Sequence, residues 1–311
     1  MDFRNPVTDE VIKCLSRDAQ QCIRKLAAHQ PDVAIDVGKS RAAAVFIGLF
    51  EKPGITGLQV LLTTRAKTLR SHPNQTAFPG GKVDPTDVSP EFTANWFVDL
   101  SQRREAFEEV GLPMGYHRDL HYVAQLQPFL SKYKIIVFPV VYLISSMHLI
   151  DSLTPSPDEV GAIWSLPLEY CLTAVWKEDY GVLSEKGGPD WPYEDDYYNN
   201  SDVTWLKTSE YRMNRFRTTQ TPLKGLTCDI TMSVAEIAFG RRTAVDRYAE
   251  GQVPFFDAVK MAVQEEKSVP EEIRNRPEMK ITGNGDNPDE LLSLPVTPSV
   301  EVPPYRPTAA L

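Results

Sequence analysis

Runs of apolar residues, separated by short polar turns, divide much of the first half of the chain into strand-length segments. The runs are rich in β-branched and aromatic residues and are bounded by turn residues, which is typical of β-strands. They predict strands at 42–50, 58–64, 121–128, 135–144 and 160–165. Spacing of apolar residues at three and four positions predicts helices at 8–28, 99–110 and 231–249.

The predicted helix 99–110 carries three carboxylates close together near its end. Glu105, Glu108 and Glu109 stand at i, i+3 and i+4, so they share one helix face. Like charges at this spacing repel by roughly 0.2–0.5 kcal/mol per pair, and a divalent cation would turn that repulsion into attraction. Hard cations such as Mg²⁺ prefer carboxylate oxygens, so the triplet predicts a metal site; a solvated acidic helix face is the alternative.

The apolar residues of the same helix are predicted to face the core. Phe107 and Val110 fall opposite the carboxylates, with Leu100 further back along the helix. Gly111 follows directly and predicts the helix end, because glycine readily adopts the left-handed conformation of a C-terminal cap.

Residues 104–112 read Arg-Glu-Ala-Phe-Glu-Glu-Val-Gly-Leu and follow a Phe-Pro-Gly-Gly turn that ends at Gly81. Together they resemble the Nudix box, a motif of diphosphate-hydrolysing enzymes. The resemblance implies an α+β fold, a Nudix-type α/β/α sandwich with a mixed central sheet and the box helix as its catalytic helix. Mg²⁺ or Mn²⁺ is the implied cofactor. The implied catalytic residues are Arg104, Glu105, Glu108 and Glu109. The implied metal ligands are Glu105, Glu108 and Glu109, and the structural turns are Gly80, Gly81 and Gly111.

The first part of the box departs from the family pattern. Asp87 stands where the motif has a Glu, and the stretch from there to Arg104 is longer than the motif's. The simplest interpretation is an insertion near 88–99, which leaves the carboxylate triplet intact. A box glutamate or Glu159, on a later loop, is the candidate for the base that accepts a proton.

A second motif precedes the glycine turn. The segment from Leu61 to Gly81 places Arg65, Arg70 and Phe-Pro-Gly-Gly in an order that resembles the signature of coenzyme A diphosphatases within the Nudix superfamily. Asn74 replaces a glycine of that signature, and Asn tolerates left-handed backbone angles better than most residues. Guanidinium groups pair bidentately with phosphate oxygens, while a basic surface loop is the alternative interpretation. The candidate substrate-binding residues are Arg65, Arg70, His72 and Gln75.

This resemblance implies metal-dependent hydrolysis of the diphosphate bond of coenzyme A or a derivative. The products would be 4′-phosphopantetheine, or its acyl form, and adenosine 3′,5′-bisphosphate. Two alternatives stay open: a Nudix hydrolase of another nucleoside diphosphate derivative, such as ADP-ribose or a dinucleotide, and a non-catalytic nucleotide-binding module on the same scaffold.

Composition sets limits on partners and compartment. The chain has 311 residues, a net charge of −9 and 42% hydrophobic residues, so we expect a small-molecule partner and no nucleic acid. Its four cysteines lack the spacing of a zinc site or a disulfide framework, so we expect a reducing, intracellular compartment. Cytoplasmic is the default, with peroxisomal or mitochondrial as alternatives. No apolar run is long enough to predict a membrane span, and the oligomeric state is left open.

Three parts of the chain differ in pattern. Residues 1–34 predict an N-terminal helical extension, and 35–250 predict the hydrolase domain. Within it, 176–211 is predicted as a surface insertion, with a lid or a dimer contact as alternatives. Its Trp and Tyr residues also leave open a role facing adenine or pantetheine. Residues 251–311 are predicted to be a C-terminal tail that is mostly disordered, because the sequence from Glu265 onward is proline-rich and acidic.

Overall fold

The computed structural model describes residues 5–29, 37–38, 40–83, 94–206 and 209–268, and only the backbone of 94–101. Asp87 and most of the predicted insertion at 88–99 lie outside these ranges. No helix within them is both long and apolar enough to cross a bilayer.

The larger sheet has eight strands within the described ranges: β1 Ala42–Glu51, β2 Leu58–Arg65, β3 Thr76–Ala77, β4 Gly80–Lys82, β5 Leu120–Gln125, β6 Phe129–Leu130, β7 Ile136–Ile144 and β8 Val160–Pro167. Its main path runs β3–β2–β1–β7–β5, and β4 pairs with β1, β6 with β7 and β8 with β2. All five predicted strands are present, each within a few residues of its predicted ends.

The centre of this sheet explains why its sequence runs are continuous rather than alternating. β1 and β7 pair in parallel, from Ala42 opposite Ile136 to Leu49 opposite Leu143, whereas the other pairs are antiparallel. Every residue of β7 is buried. A strand that is covered on both faces has no polar side, so its sequence is apolar throughout.

The helices in the described ranges are α1 Asp9–Lys13, α2 Arg17–Ala28, α3 Ala94–Val110, α4 Met147–Asp151, α5 Tyr170–Thr173, α6 Gly225–Phe239 and α7 Phe255–Ser268. The predicted helix 8–28 is therefore two helices, and the side chain of Ser16 caps the second by accepting a hydrogen bond from the N–H of Ala19. The helix predicted at 231–249 begins earlier and ends at Gly240, whose φ of 66° is left-handed.

Helices pack against the sheet and complete the core. α3 packs against β1 and β4, and α2 packs against α6 and β5. Ile23 and Leu26 of α2 are fully buried in the same hydrophobic core as the central strands. The arrangement confirms the predicted α+β class, a mixed sheet packed by helices.

A second, three-stranded antiparallel sheet follows β8 in the chain. Its strands are β9 Tyr198–Trp205, β10 Ser209–Phe216 and β11 Leu223–Lys224, in the order β11–β10–β9. Trp191 and Phe216 are fully buried, and β10 packs against α6. The expectation of a surface insertion at 176–211 is therefore wrong in one respect, because this segment supplies β9, the start of β10 and the buried side chains of Trp191 and Trp205.

The helix α7 corrects the predicted start of the tail. Phe255, Ala258, Val259 and Val263 are buried, and α7 packs against β6. These apolar positions recur at helical spacing, so the sequence itself carries the signal for this helix. The predicted disorder of 269–311 falls outside the described residues.

Threonines join the two sheets. Thr76 Oγ1 donates to the carbonyl oxygen of Thr221 at 2.9 Å and lies 2.8 Å from its hydroxyl. Thr64 Oγ1 lies 3.2 Å from the same hydroxyl, and Thr227 Oγ1 donates to the Thr76 carbonyl at 3.3 Å. The edge of the large sheet is thereby fixed to the loop that precedes α6.

Candidate active site

The carboxylate helix α3 does not have the predicted core face. Phe107 is 49% exposed, whereas Glu109 is only 6% exposed. Ala106 and Val110 face the core beside Glu109. The prediction for Phe107 is wrong because the buried face of α3 accommodates a carboxylate, and hydrophobic patterning alone cannot anticipate that. The predicted position of Leu100 lies outside the described side chains.

The buried carboxylate is held by the glycine turn. The backbone N–H of Gly80 donates to Glu109 Oε2 at 3.0 Å. Burial raises the pKa of the Glu109 carboxyl to about 7, although the Gly80 hydrogen bond and the Arg65 charge both oppose the rise. The charges of Glu105 and Glu159 add to it. Negative charge is thus concentrated around a carboxylate that water screens poorly.

The second glycine of the turn makes room for another carboxylate. A Cβ on Gly81 would overlap the carboxylate of Glu105. Arg104 donates to Glu105 Oε1 at 2.8 Å and to Glu108 Oε2 at 3.0 Å. Burial raises the pKa of Glu105, and the adjacent Arg104 charge opposes that rise. The structure therefore brings together Arg104, both turn glycines and the three box glutamates, with Glu108 the most exposed of the three.

The end of α3 is also as predicted. Gly111 has a φ of 76°, and its N–H donates to the Phe107 carbonyl at 2.9 Å. The N–H of Leu112 donates to the Ala106 carbonyl at 3.3 Å. These bonds form the left-handed cap that a glycine at this position predicts.

Arg103 is a residue of this region that the sequence prediction missed. It is 4% exposed, donates to the carbonyl oxygens of Pro113 and Gly115, and lies 5.7 Å from the ring centroid of Tyr142. It therefore fixes the loop after α3 to the core. Arg103 and Arg104 are adjacent in the sequence, and nothing local indicates which of the two is buried.

Glu159 lies close enough to act electrostatically on Glu105 and Glu109, raising the pKa of each. It is exposed, and its backbone carbonyl accepts a hydrogen bond from the N–H of Ala66 at 2.9 Å. Its carboxylate forms no side-chain hydrogen bond or ion pair with the residues that the structure describes. This position next to the box carboxylates is consistent with its prediction as a candidate base.

These residues fit a divalent cation by their chemistry. Among the described residues, no three His, Cys, Asp or Glu side chains converge closely enough to form a ready-made metal cluster. However, the Glu105 carboxylate lies against Gly81 and the Glu109 carboxylate against Gly80, and burial raises the pKa of both groups. Carboxylate oxygens are the ligands that Mg²⁺ prefers, and a bound cation would favour their charged form. Glu105 and Glu109 would be the metal ligands. Glu108 would become a third ligand on breaking its ion pair with Arg104.

Three of the four predicted substrate-binding residues line one cleft of about 740 Å³. These are Arg65, His72 and Gln75. His72 Nδ1 lies 3.2 Å from Gln75 Oε1, and its ring packs edge-on against Tyr133. Arg70 is exposed and is not part of the cleft wall. No residue of the carboxylate site lines the cleft, but the charge of Arg65 lowers the pKa of Glu109 and so links the two electrostatically.

The turn between these residues keeps its conformation without the signature glycine. Asn74 has a φ of 55°, in the left-handed region, and its N–H donates to the Arg65 carbonyl at 3.2 Å. Asn is among the few residues that adopt this region readily. The expectation that the turn survives the substitution is confirmed.

The second wall of the cleft comes from β9, β10, β11 and the start of α6. None of its residues was among the predicted site residues, although Tyr193 and Trp205 belong to the aromatic residues of 176–211 for which a role facing adenine or pantetheine was an alternative. The strands read Tyr-Asn-Asn-Ser-Asp-Val-Thr-Trp and Ser-Glu-Tyr-Arg-Met-Asn-Arg-Phe, which lack a regular apolar alternation. Only the cluster of aromatic and basic residues could have indicated a ligand site there.

Comparisons with known proteins reveal several related chains. No protein-family model matches the sequence. It is 37% identical over 135 residues to "Nudix hydrolase 15, mitochondrial" of Arabidopsis thaliana, covering 43% of this chain and 42% of that protein. It is 40% identical over 134 residues to the Nudix hydrolase NudL of Photorhabdus laumondii, covering 43% and 63% respectively. The chain thus spans less than two thirds of either protein.

A longer match is with the NudL of Yersinia enterocolitica. The two are 33% identical over 168 residues, which is 53% of this chain and 76% of that protein. Among solved structures, a NUDIX hydrolase from Alicyclobacillus acidocaldarius is 19% identical, with a TM-score of 0.33 over 44% of this chain and 83% of that one.

Proposed function

The chain belongs to the Nudix hydrolase family, and on that premise we propose that it hydrolyses the diphosphate bond of coenzyme A or a derivative, using Mg²⁺ or Mn²⁺. The products would be 4′-phosphopantetheine, or its acyl form, and adenosine 3′,5′-bisphosphate. The partner is a small molecule. That the protein binds no nucleic acid, and that its compartment is the cytoplasm, both remain predictions.

The observation that carries this proposal is the junction between the carboxylate site and the cleft. Glu109 accepts a hydrogen bond from the Gly80 N–H, and the Glu105 carboxylate lies against Gly81. Arg65 lines the cleft, and its charge lowers the pKa of Glu109. A diphosphate at this junction would meet the Arg65 guanidinium on one side and the carboxylates on the other. A bound divalent cation would neutralise charge on the phosphoryl oxygens and lower the pKa of bound water.

The protein's own groups would orient the reactants. Arg104 holds Glu105 through a charge-assisted hydrogen bond, which fixes the direction of its carboxylate. Arg65, with His72 and Gln75 beside it, would pair with the oxygens of the diphosphate. Glu159 is the base we favour for the water proton, because its carboxylate is exposed and makes no bond to another described side chain.

The test is Mg²⁺-dependent hydrolysis of coenzyme A by purified protein, with the products separated by chromatography. The wild type should release both named products. Glu109→Gln keeps the shape and removes the charge, and it should lower kcat by about 10²-fold or more, as expected where metal-based charge stabilisation is lost. The matched control is Glu178→Gln, an exposed glutamate on the 3₁₀ turn Glu178–Tyr180. Unchanged turnover of Glu109→Gln at saturating Mg²⁺ would contradict the metal assignment.

A substrate panel separates the alternatives. The panel contains dephospho-coenzyme A, ADP-ribose and a dinucleotide, each assayed with Mg²⁺ and with Mn²⁺. A higher kcat/KM for ADP-ribose or the dinucleotide would replace coenzyme A as the substrate. Nucleotide binding by calorimetry without turnover of any of the compounds would instead indicate a binding module.

A further inference from the structure

The cleft wall contributed by the second sheet carries two cations placed directly opposite each other. Arg215 of β10 is the register partner of Lys224 of β11, and both line the cleft. Like charges directly opposite on an antiparallel pair destabilise the sheet. The protein as a whole is acidic, with a net charge of −9, so this local pairing is not a by-product of a basic surface.

Neither cation is neutralised by a carboxylate among the described residues. Arg215 donates to Asn199 Oδ1 at 3.3 Å and to Ser201 Oγ at 2.9 Å, and it lies 5.4 Å from the ring centroid of Tyr193. These partners are uncharged and hold the guanidinium in place. Lys224 is half-buried, and burial, followed by the charge of Arg215, lowers the pKa of its ammonium.

A neighbouring arginine shows the contrast. Arg212, three positions earlier on β10, forms ion pairs with Asp202 at 2.8 Å and Asp246 at 2.5 Å. On the same strand, Arg212 is therefore paired with two aspartates, whereas Arg215 has no described acidic partner. An unfavourable charge arrangement that is kept in a cleft indicates a ligand of opposite charge.

The start of α6 adds to the positive field. Gly225, Leu226 and Thr227, its first residues, line the cleft, and no side chain caps the N–H groups of this 15-residue helix. Gly225 has a φ of 59°, which lets the chain turn from β11 into the helix. The first N–H groups of a helix and its dipole both favour an anion.

From this convergence we propose that Arg215, Lys224 and the first turn of α6 form a subsite for a phosphate monoester of the nucleotide substrate, apart from the diphosphate that is cleaved. The proposal rests on the proposed function. The diphosphate is assigned to the part of the cleft where Arg65 acts on Glu109, whereas this subsite is formed by β10, β11 and the start of α6. The ligand class is a nucleotide with a second phosphate group, and the aromatic side chains of Tyr193 and Trp205 offer apolar surface to its base.

The first test compares coenzyme A with dephospho-coenzyme A, which lacks the monoester. Arg215→Gln and Lys224→Met should each lower kcat/KM for coenzyme A by about tenfold or more, mainly through KM, as expected for the loss of a charge-assisted hydrogen bond. Hydrolysis of dephospho-coenzyme A should change much less, so the preference between the two substrates collapses. Lys186→Gln is the control, since Lys186 is exposed, pairs with Asp196 and lies outside the cleft. Equal losses on both substrates, or no loss on either, would overturn the subsite.

The second test does not depend on hydrolysis. Calorimetry with metal-free protein should show adenosine 3′,5′-bisphosphate binding more tightly than adenosine 5′-monophosphate, and the advantage should disappear in Arg215→Gln. If the wild type hydrolyses no coenzyme A but keeps this advantage, the proposed function fails and the subsite stands. Equal affinity for the two nucleotides in the wild type would reject the subsite whatever the enzyme hydrolyses. Because repulsion is removed, ligand-free Lys224→Met should also have a Tm no lower than that of the wild type.

Discussion

The backbone N–H of Gly80 donates a hydrogen bond to the buried carboxylate of Glu109 at 3.0 Å. A residue of the glycine turn and a residue 29 positions later on α3 are thus joined directly. This contact is possible because β4 lies very close to β1: a Cβ on Gly80 would overlap the carbonyl oxygen of Ala44. The position of Glu109 and the packing of two strands therefore depend on the same glycine.

Gly80→Ala is expected to destabilise the whole fold. Its φ of 147° is one that side-chain-bearing residues rarely adopt, and the clash is with backbone, which cannot move aside cheaply. We expect a loss of several kcal/mol in the free energy of unfolding, of the order found for overpacking combined with backbone strain, about 2–4 kcal/mol. Urea unfolding measures it. Gly54→Ala, with a φ of 81° and open space around it, reports the strain alone and should lose less.

Gly81→Ala should separate activity from stability. Here the overlap is with the carboxylate of Glu105, a side chain that can rotate away. We expect a stability loss of about 1 kcal/mol or less and a fall in kcat of about 10²-fold, since a small misplacement of a catalytic group costs that much. Gly115→Ala is the control, because its added Cβ meets nothing within 4 Å. Full activity in Gly81→Ala would mean that the seat of Glu105 is unimportant.

The buried acid Asp229 should make stability depend on pH. Burial raises the pKa of its carboxyl to about 7, despite the Arg247 charge and the hydrogen bonds from Tyr211 and Asn214. The unfolded chain has the ordinary value, near 3.8. Between these values the folded protein binds the extra proton, so its contribution is full below about pH 4 and is lost as the pH rises towards 7.

Asp229→Asn should remove that dependence. The difference in unfolding free energy between variant and wild type should move in favour of the variant as the pH rises from 4 to 7, by at most about 1.4 kcal/mol per pH unit for one proton. Urea unfolding at intervals across this range measures it. Asp190→Asn, at a half-buried position on the loop before β9, serves as the comparison. Parallel curves for wild type and Asp229→Asn would contradict the assignment.

Helix α7 is expected to contribute strongly to stability. Phe255 is 7% exposed, and its ring centroid lies 4.9 Å from that of Phe129 and 5.8 Å from that of Trp205. Phe255→Ala should lower the free energy of unfolding by about 3–5 kcal/mol, the usual cost of removing a buried phenyl ring. Met261→Ala, on the same helix but 50% exposed, should cost far less. Equal effects of the two substitutions on Tm would show that α7 does not belong to the core.

How much could be predicted depended on whether a pattern was local. The central strands were predicted from continuous apolar runs, because a strand that is buried on both faces needs apolar residues at nearly every position. Gly111 and Asn74 were predictable from backbone sterics alone. Gly240 is an equally local signal, because a glycine C-cap marks the end of α6 nine residues before the predicted end.

Other features depended on tertiary contacts that leave no local sign. Glu109 is buried because the glycine turn offers it a backbone donor, and Phe107 is exposed because Ala106 and Val110 fill the core side. The strand β10 is held by a buried network in which Tyr211 and Asn214 donate to Asp229. Polar strands of this kind do not produce an alternating sequence, so β9, β10 and β11 were not predicted.

The threonine contacts between the sheets determine how costly binding will be. Thr64, Thr76 and Thr221 are buried and bonded to one another, and they join the strand edge that bears Arg65 to the loop that leads into Lys224 and α6. These two parts of the cleft lining lie far apart in sequence and are held together by buried hydrogen bonds. A ligand that contacts both walls meets groups already in position, so little conformational entropy is lost on binding, and more of the contact energy is expressed as affinity.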